Sequence, residues 1–108
     1  MSGNNVDMLI SMIRKKIANK DVSGFTEKFA SEFRLKDGGV FYIEAMNGNI
    51  NIEPYEYNDK DVTISISSED LKKILDKKLS IEKALITRKV NINGNLQKAM
   101  MIKDFLKE

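Results

Sequence analysis

The stretch from Asp61 to Met100 constrains the fold more than any other part of this chain. It opens with a strict alternation, Val62, Ile64 and Ile66 against Thr63, Ser65 and Ser67, which predicts a strand with one buried face. That strand runs straight into Ser67-Ser68-Glu69-Asp70, short polar and acidic residues of the kind that start helices. Ser67 with Asp70 approximates a capping box for a helix over Ser68 to Lys77 that presents Leu71, Ile74 and Leu75. Ser80 caps a second short helix, to Thr87, presenting Ile81, Ala84 and Leu85. Val90-Asn91-Ile92 predicts a short strand, Gly94-Asn95 a turn, and Asn95 to Lys107 a closing helix.

Upstream, Val6, Leu9, Ile10, Ile13 and Ile17 fall on one face of a helix expected over Val6 to Lys20, with Met8 and Met12 widening the stripe. Asn4 or Asn5 is a candidate cap, and Lys15, Lys16 and Lys20 complement the negative end of the helix dipole. Three strands follow as a meander. Phe25 to Lys36 places Phe25, Phe29, Phe33 and Leu35 inward, with Glu27 and Ser31 as interruptions. Asp37-Gly38-Gly39 is a turn, and Val40 to Met46 points Phe41, Ile43 and Ala45 to one side. Asn47-Gly48 is the strongest hairpin signal in the chain, because both residues tolerate the positive φ of a tight primed turn. Asn49 to Tyr57 returns with Ile50 and Ile52 inward. Pro54 cannot donate a ladder hydrogen bond, which makes this an edge strand or a bulged one.

Strands cluster and helices cluster in this order, which predicts an α+β domain rather than alternating βαβ units. With 108 residues and no linker or low-complexity segment, one domain over 1–108 is expected. The chain has no cysteine and no histidine. That removes thiolate nucleophiles, the commonest acid/base residue and nearly every zinc or iron site, and neither a metal nor a cofactor is expected. Gly38-Gly39 and Gly94 stand apart from any phosphate loop, and the basic segment lacks interleaved aromatics, so no nucleotide or nucleic-acid partner is expected. Glu53 and Glu56, three apart, cannot share a strand face as a carboxylate pair. A basic-then-apolar leader is absent from Met1-Ser2-Gly3-Asn4-Asn5, and no apolar run approaches a bilayer span; a cytoplasmic location is the expectation.

Taken in order, the words of the Asp61–Leu106 region resemble the C-terminal half of the sterol carrier protein type 2 family. That family's pattern is a strand ending in a Ser/Asp-rich cap, a lysine-leucine unit followed by a helix ending in Ala-Leu, a short strand, and a Gly-Asn-Leu-x-x-Ala-Met helix. Here Lys78-Leu79, Ala84-Leu85 and Gly94-Asn95-Leu96-Gln97-Lys98-Ala99-Met100 carry it. The resemblance implies a five-stranded, mainly antiparallel sheet covered on one face by helices and enclosing an apolar tunnel. It further implies a non-enzymatic protein that binds or transfers a long-chain fatty acid, fatty acyl-CoA, phospholipid or sterol-like ligand. Two positions depart from the pattern. Lys77 and Arg88 stand where many members have glycine at turns, so the helix ends are expected to be longer or recast. The chain ends Leu106-Lys107-Glu108, unlike the Ser-Lys-Leu peroxisomal address of some animal relatives.

The last helix is apolar beyond a single stripe. Leu96, Ala99, Met100 and Leu106 fall on one side, Met101 and Phe105 nearly opposite. As a lid it would roof a tunnel. Alternatively, the surplus packs on the first helix or on another copy of the chain, as an interaction or homodimerisation module without lipid. The lining expected under the resemblance is Phe29, Phe33, Phe41, Ile43, Ile64, Ile66, Leu75, Leu85, Leu96, Met100, Met101 and Phe105. Most of these are also what an ordinary core needs, and six methionines suit either a core or a permissive pocket. Arg88 and Lys98, with Lys89, are the candidates for a carboxylate or phosphate headgroup. Charge is segregated. Residues 37–61 carry six acidic groups against Lys60, and residues 72–89 carry seven basic against two acidic, a net of −5 and +5. The basic side is either a solvated face or a surface for transient contact with phosphates, lipid headgroups or an acidic partner.

Overall fold

The computed structural model describes residues 2–18, 28–46 and 48–107, with side chains for 5–18, 28–46 and 48–101. The elements run α1 (Ser2–Ile17), β1 (Phe29–Leu35), β2 (Val40–Met46), β3 (Asn49–Glu53), β4 (Val62–Ile66), α2 (Ser68–Leu75), α3 (Ile81–Ile86), β5 (Val90–Gly94) and α4 (Leu96–Lys107). The five strands form one sheet in the order β3-β2-β1-β4-β5. Every neighbouring pair is antiparallel except β1 with β4. This is the α+β architecture the clustering of elements predicts. β3 lies at an edge and stops at Glu53, immediately before Pro54, as the missing proline donor requires.

Register places the apolar residues on one face. Phe33 stands between Phe41 and Ile64, Ser31 between Ile43 and Val62, and Leu35 beside Ile66, while Ile64 faces Ile92 and Ile43 faces Ile52. The Phe33 and Phe41 rings stack, with centroids 4.9 Å apart. α1 brings Val6, Leu9, Ile10 and Ile13 down onto this face beside β2 and β3; α4 crosses β1, β4 and β5; α2 lies beside both helices. Fully burying one such aliphatic or aromatic side chain is worth roughly 1.5–3 kcal/mol. The stripe of α1 and the inner row of the sheet therefore account for most of the driving force.

The structure corrects three expectations. α1 begins at Ser2, so Asn4 and Asn5 lie within it and do not cap it; Asn5 instead donates its side-chain amide to Asp37 at 3.2 Å. Lys20, the Phe25–Glu27 start of the first strand and Asn47 of the hairpin turn lie outside the described residues. β1 is not a half-buried strand. Ala30 and Glu32, on its outer face, are as buried as Phe29 and Phe33. The cause is the segment after β3, which returns across the outer face: Glu32 accepts the Tyr57 backbone N–H at 3.0 Å and pairs with Arg34 at 2.8 Å and Lys60 at 3.6 Å. A buried carboxylate persists because these groups satisfy it. Glu32 is also the first cause holding the Arg34 guanidinium above its ordinary pKa.

The third correction concerns Lys77 and Arg88. Both helices stop without extension, and the two cations adopt left-handed backbone, φ 62° and 61°. Each sits at the C′ position of a Schellman cap. Lys77 N–H donates to Ile74 O and Lys78 N–H to Lys73 O; Arg88 N–H donates to Leu85 O and Lys89 N–H to Ala84 O. The turn geometry that glycine adopts freely is kept, and two charged side chains occupy it under strain.

Candidate functional site

The candidate site is the apolar layer between the inner sheet face and the helices, and local sequence explains how the roof is held there. α2 leaves β4 with almost no connecting chain, because Ser67 Oγ accepts the Asp70 N–H at 3.1 Å and opens the helix at once. Its Ser68 N–H donates to the Asp37 carboxylate at 2.9 Å, which, with the Asn5 contact, holds that carboxyl below the ordinary aspartate pKa. One side chain thereby ties the β1–β2 turn to the starts of α1 and α2. Ser80 opens α3 in the same way as Ser67 opens α2, accepting from the Lys83 N–H at 3.1 Å.

The Gly94-Asn95 pair positions α4. Gly94 lies opposite Val62 at φ 119°, and a Cβ there would stand 2.5 Å from the Asp61 carbonyl oxygen. The same carbonyl accepts the Asn95 N–H at 2.9 Å, while Asn95 Oδ1 accepts the Lys98 N–H at 3.2 Å and caps the helix. Asp61 in turn bonds Ala30 twice, its N–H to the Ala30 carbonyl and its carboxylate to the Ala30 N–H, both at 2.8 Å. α4 therefore starts from a fixed point on the central strand. Ala99, buried and without side-chain bulk, lets it approach β1 closely.

Of the lining expected from the sequence, Phe29, Phe33, Phe41, Ile43, Ile64, Ile66 and Leu75 converge as one buried cluster, with Leu85 and Met101 partly buried against it. Leu96 and Met100 do not join them. They are 59 % and 42 % exposed, although Leu96 is one turn from the buried Ala99. The side chain of Phe105 lies outside the described residues. Arg88 and Lys98 are not brought together either. Arg88 precedes Val90, which pairs with Ile66 beside Leu35 at one end of β1. Lys98 Nζ donates to the Lys28 carbonyl at the other end, 3.3 Å away.

Sequence reasoning passed over one residue of this interior. Ser31 is fully buried on the inner face of the central strand, and its hydroxyl has no hydrogen-bond partner among the described residues. It registers in the sequence as an interruption of an apolar row, and that interruption is the signal: an oxygen facing a greasy interior. The outer face carries its own polar cluster. Tyr57 donates its hydroxyl to Glu44, the bond that chiefly raises the tyrosine pKa, and Lys28 lies 5.2 Å from the Tyr57 ring centroid. Among the described residues no group of three or more carboxylates is placed to hold a metal ion, and no helix is long and apolar enough to cross a membrane.

A mixed five-stranded sheet with an apolar inner face roofed by helices defines a class of small α+β domains built around a greasy interior. Residues 10–107 match the model of the SCP-2 sterol transfer family, and the chain belongs to that family. No curated protein matches the sequence significantly. Among solved structures, the fold is similar to sterol carrier protein domain 2 of Helicoverpa armigera (TM-score 0.71, 20 % identity, 94 % of this chain and 86 % of that one). It is also similar to palmitated SCP2L2 of Aedes aegypti (TM-score 0.68, 20 % identity, 100 % and 96 %). It also resembles part of the sec-alkylsulfatase Pisa1 of Pseudomonas sp. (TM-score 0.66, 18 % identity), where 75 % of this chain matches only 13 % of the enzyme.

Proposed function

We propose that this chain is a non-enzymatic lipid carrier of the cytoplasm, holding a long-chain fatty acid, fatty acyl-CoA or sterol-like ligand between the sheet and its helices. The observation that carries the reading is the inner face itself: apolar across all five strands, roofed by α1, α2 and α4, in a chain of the SCP-2 sterol transfer family. The palmitated state of the Aedes aegypti relative supports an acyl ligand in particular.

The energetics make such a carrier permissive. Burying a methylene is worth roughly 0.8 kcal/mol, so about fifteen of them offer on the order of 12 kcal/mol gross. Lost ligand freedom and ordering remove much of this, leaving about micromolar affinity. A hydrogen bond to a polar group adds only about 1 kcal/mol net. Length and shape therefore govern selection more than headgroup does, in keeping with Arg88 and Lys98 standing at opposite ends of β1.

The test is displacement of a fluorescent fatty acid or acyl-CoA probe by unlabelled lipid, together with native mass spectrometry of protein taken directly from cells. Retained lipid mass and a saturable probe signal are expected. Protein that binds no long-chain lipid overturns the proposal.

One observation favours a second reading. Leu96 and Met100 expose apolar surface on α4, which suits packing against a second copy. A dimer free of lipid in the same mass spectrum would support that module over the carrier. A third role, as an accessory domain serving a lipid-modifying enzyme, is compatible with the carrier reading. The small share of Pisa1 that this fold occupies is its precedent.

A further inference from the structure

Ile86 is the most exposed large apolar side chain among the described residues, at 82 %. It ends α3, one turn from Lys83 and two residues before Arg88 and Lys89. Lys36 reaches the same place, donating its ammonium to the Lys89 carbonyl at 3.2 Å. All four cations are exposed, and the nearest acidic neighbours in the chain are Glu82 on α3 and Asp37, the latter engaged by Ser68 and Asn5.

Two further facts set this patch apart from an ordinary solvated face. Arg88 holds its charge at a left-handed position that glycine fills without strain, and α2 ends identically with Lys77 followed by Lys78. Cations at helix C-termini gain from the dipole, but a lysine or arginine one residue earlier gains as much without the strain. The second fact is the distribution of charge. The acidic segment 37–61 contains β2 and β3 at one edge of the sheet, whereas the basic segment 72–89 ends in α3, packed on β5 at the opposite edge. Glu44, Glu53 and Glu56 of the acidic segment are paired with Lys28, Arg14 and Arg34, whereas the cations at the end of α3 form a local positive patch that a negative surface would attract.

We infer that the end of α3 is a docking surface for an anionic lipid bilayer, with Lys36, Lys83, Arg88 and Lys89 contacting headgroup phosphates and Ile86 entering the interfacial region. An apolar tip ringed by cations matches that boundary, where phosphates lie above acyl chains. α3 packs on β5 at the edge of the interior and follows α2, which is part of the roof, so docking here brings this edge of the interior to the membrane from which a carrier draws ligand. The inference rests on surface residues alone, and its failure leaves interior lipid binding untouched.

The experiment is co-sedimentation of the full chain with vesicles of mixed phosphatidylglycerol and phosphatidylcholine, and with phosphatidylcholine alone, at low and raised salt. Binding to the anionic vesicles only, weakened by salt, is expected. Arg88→Gly should weaken it roughly five-fold, the effect of one basic charge near an anionic surface, and Ile86→Ser about ten-fold. Arg88→Gly relieves backbone strain, so its unfolding midpoint stays at or above that of the wild type, and weaker binding cannot be attributed to misfolding. Probe displacement by fatty acid, measured in parallel, stays at the wild-type value in Ile86→Ser, whose side chain is outside the lipid-lining set. Sedimentation with neutral vesicles equally, no sedimentation, or wild-type binding by both variants overturns the assignment. Retention on immobilised polyglutamate without vesicle binding would instead identify an acidic protein as the partner, and also overturns it.

Discussion

Gly94→Ala tests how α4 is anchored. The substitution meets two costs that the structure separates. Backbone at φ 119° is nearly closed to residues with a Cβ, a strain of about 1–3 kcal/mol. The new methyl would also lie 2.5 Å from Asp61 O and 3.0 Å from Val62 Cα, both backbone atoms of the paired strand, which cannot yield as a flexible side chain would. Moving β5 away stretches the 2.9 Å bond from Asn95 N–H to Asp61 O, worth about 1 kcal/mol. The sum is about 2–4 kcal/mol, a large share of the roughly 5–15 kcal/mol available to a domain of this kind. Urea unfolding followed by circular dichroism reads it directly, and the melting temperature should fall by on the order of 15–25 °C. Because Asn95 caps α4, the folded fraction of the variant should also bind a fatty-acid probe more weakly. A loss of under about 1 kcal/mol would refute the argument that close backbone approach dictates this glycine.

Other consequences follow from the buried polar groups. Glu32→Ala should cost about 2–4 kcal/mol in urea unfolding, because it leaves the Tyr57 N–H unsatisfied and strips Arg34 and Lys60 of their shared partner; Glu32→Gln, which keeps an acceptor, should cost less. Ser31→Ala should raise the stability of delipidated protein by about 1 kcal/mol, since it deletes a buried hydroxyl without a partner; destabilisation would mean the hydroxyl is engaged. Asp37 is held below its ordinary value of 3.8, so the stability it contributes is complete above that pH and is lost as pH falls through the lower folded value. The stability difference between wild type and Asp37→Asn should accordingly shrink in acid, which parallel urea titrations at descending pH measure.

Much of this fold is legible from local signals because the forces behind it are local. The alternation in β2 and β4, the serine caps of α2 and α3, and the stripe of α1 all read correctly, since strand pleat, cap bonding and helix period each act within a few residues. What escaped the sequence depends on contacts across the chain. Nothing near Glu32 reveals that Tyr57 and Lys60 return to cover it, so β1 reads as half-exposed when it is buried on both faces from Phe29 to Phe33. Asn5 reads as a cap because its true partner, Asp37, is remote. The orientation of α4 was ambiguous for a different reason. Apolar residues surround it, and only the fit of Ala99 against β1 selects which side faces inward, leaving Leu96 and Met100 outside. The inner row from Phe29 to Ile66 was legible as apolar, but an apolar row specifies a core and a ligand wall equally well.

That last distinction is the central one, and isotope-filtered nuclear Overhauser measurements on the protein loaded with carbon-13-labelled palmitate address it most directly. The account predicts cross-peaks from the acyl chain to Phe33, Phe41, Ile64 and Met101 and a shift at the Ser31 amide. Contacts confined to Leu96 and Met100 on α4, or none at all, would contradict it.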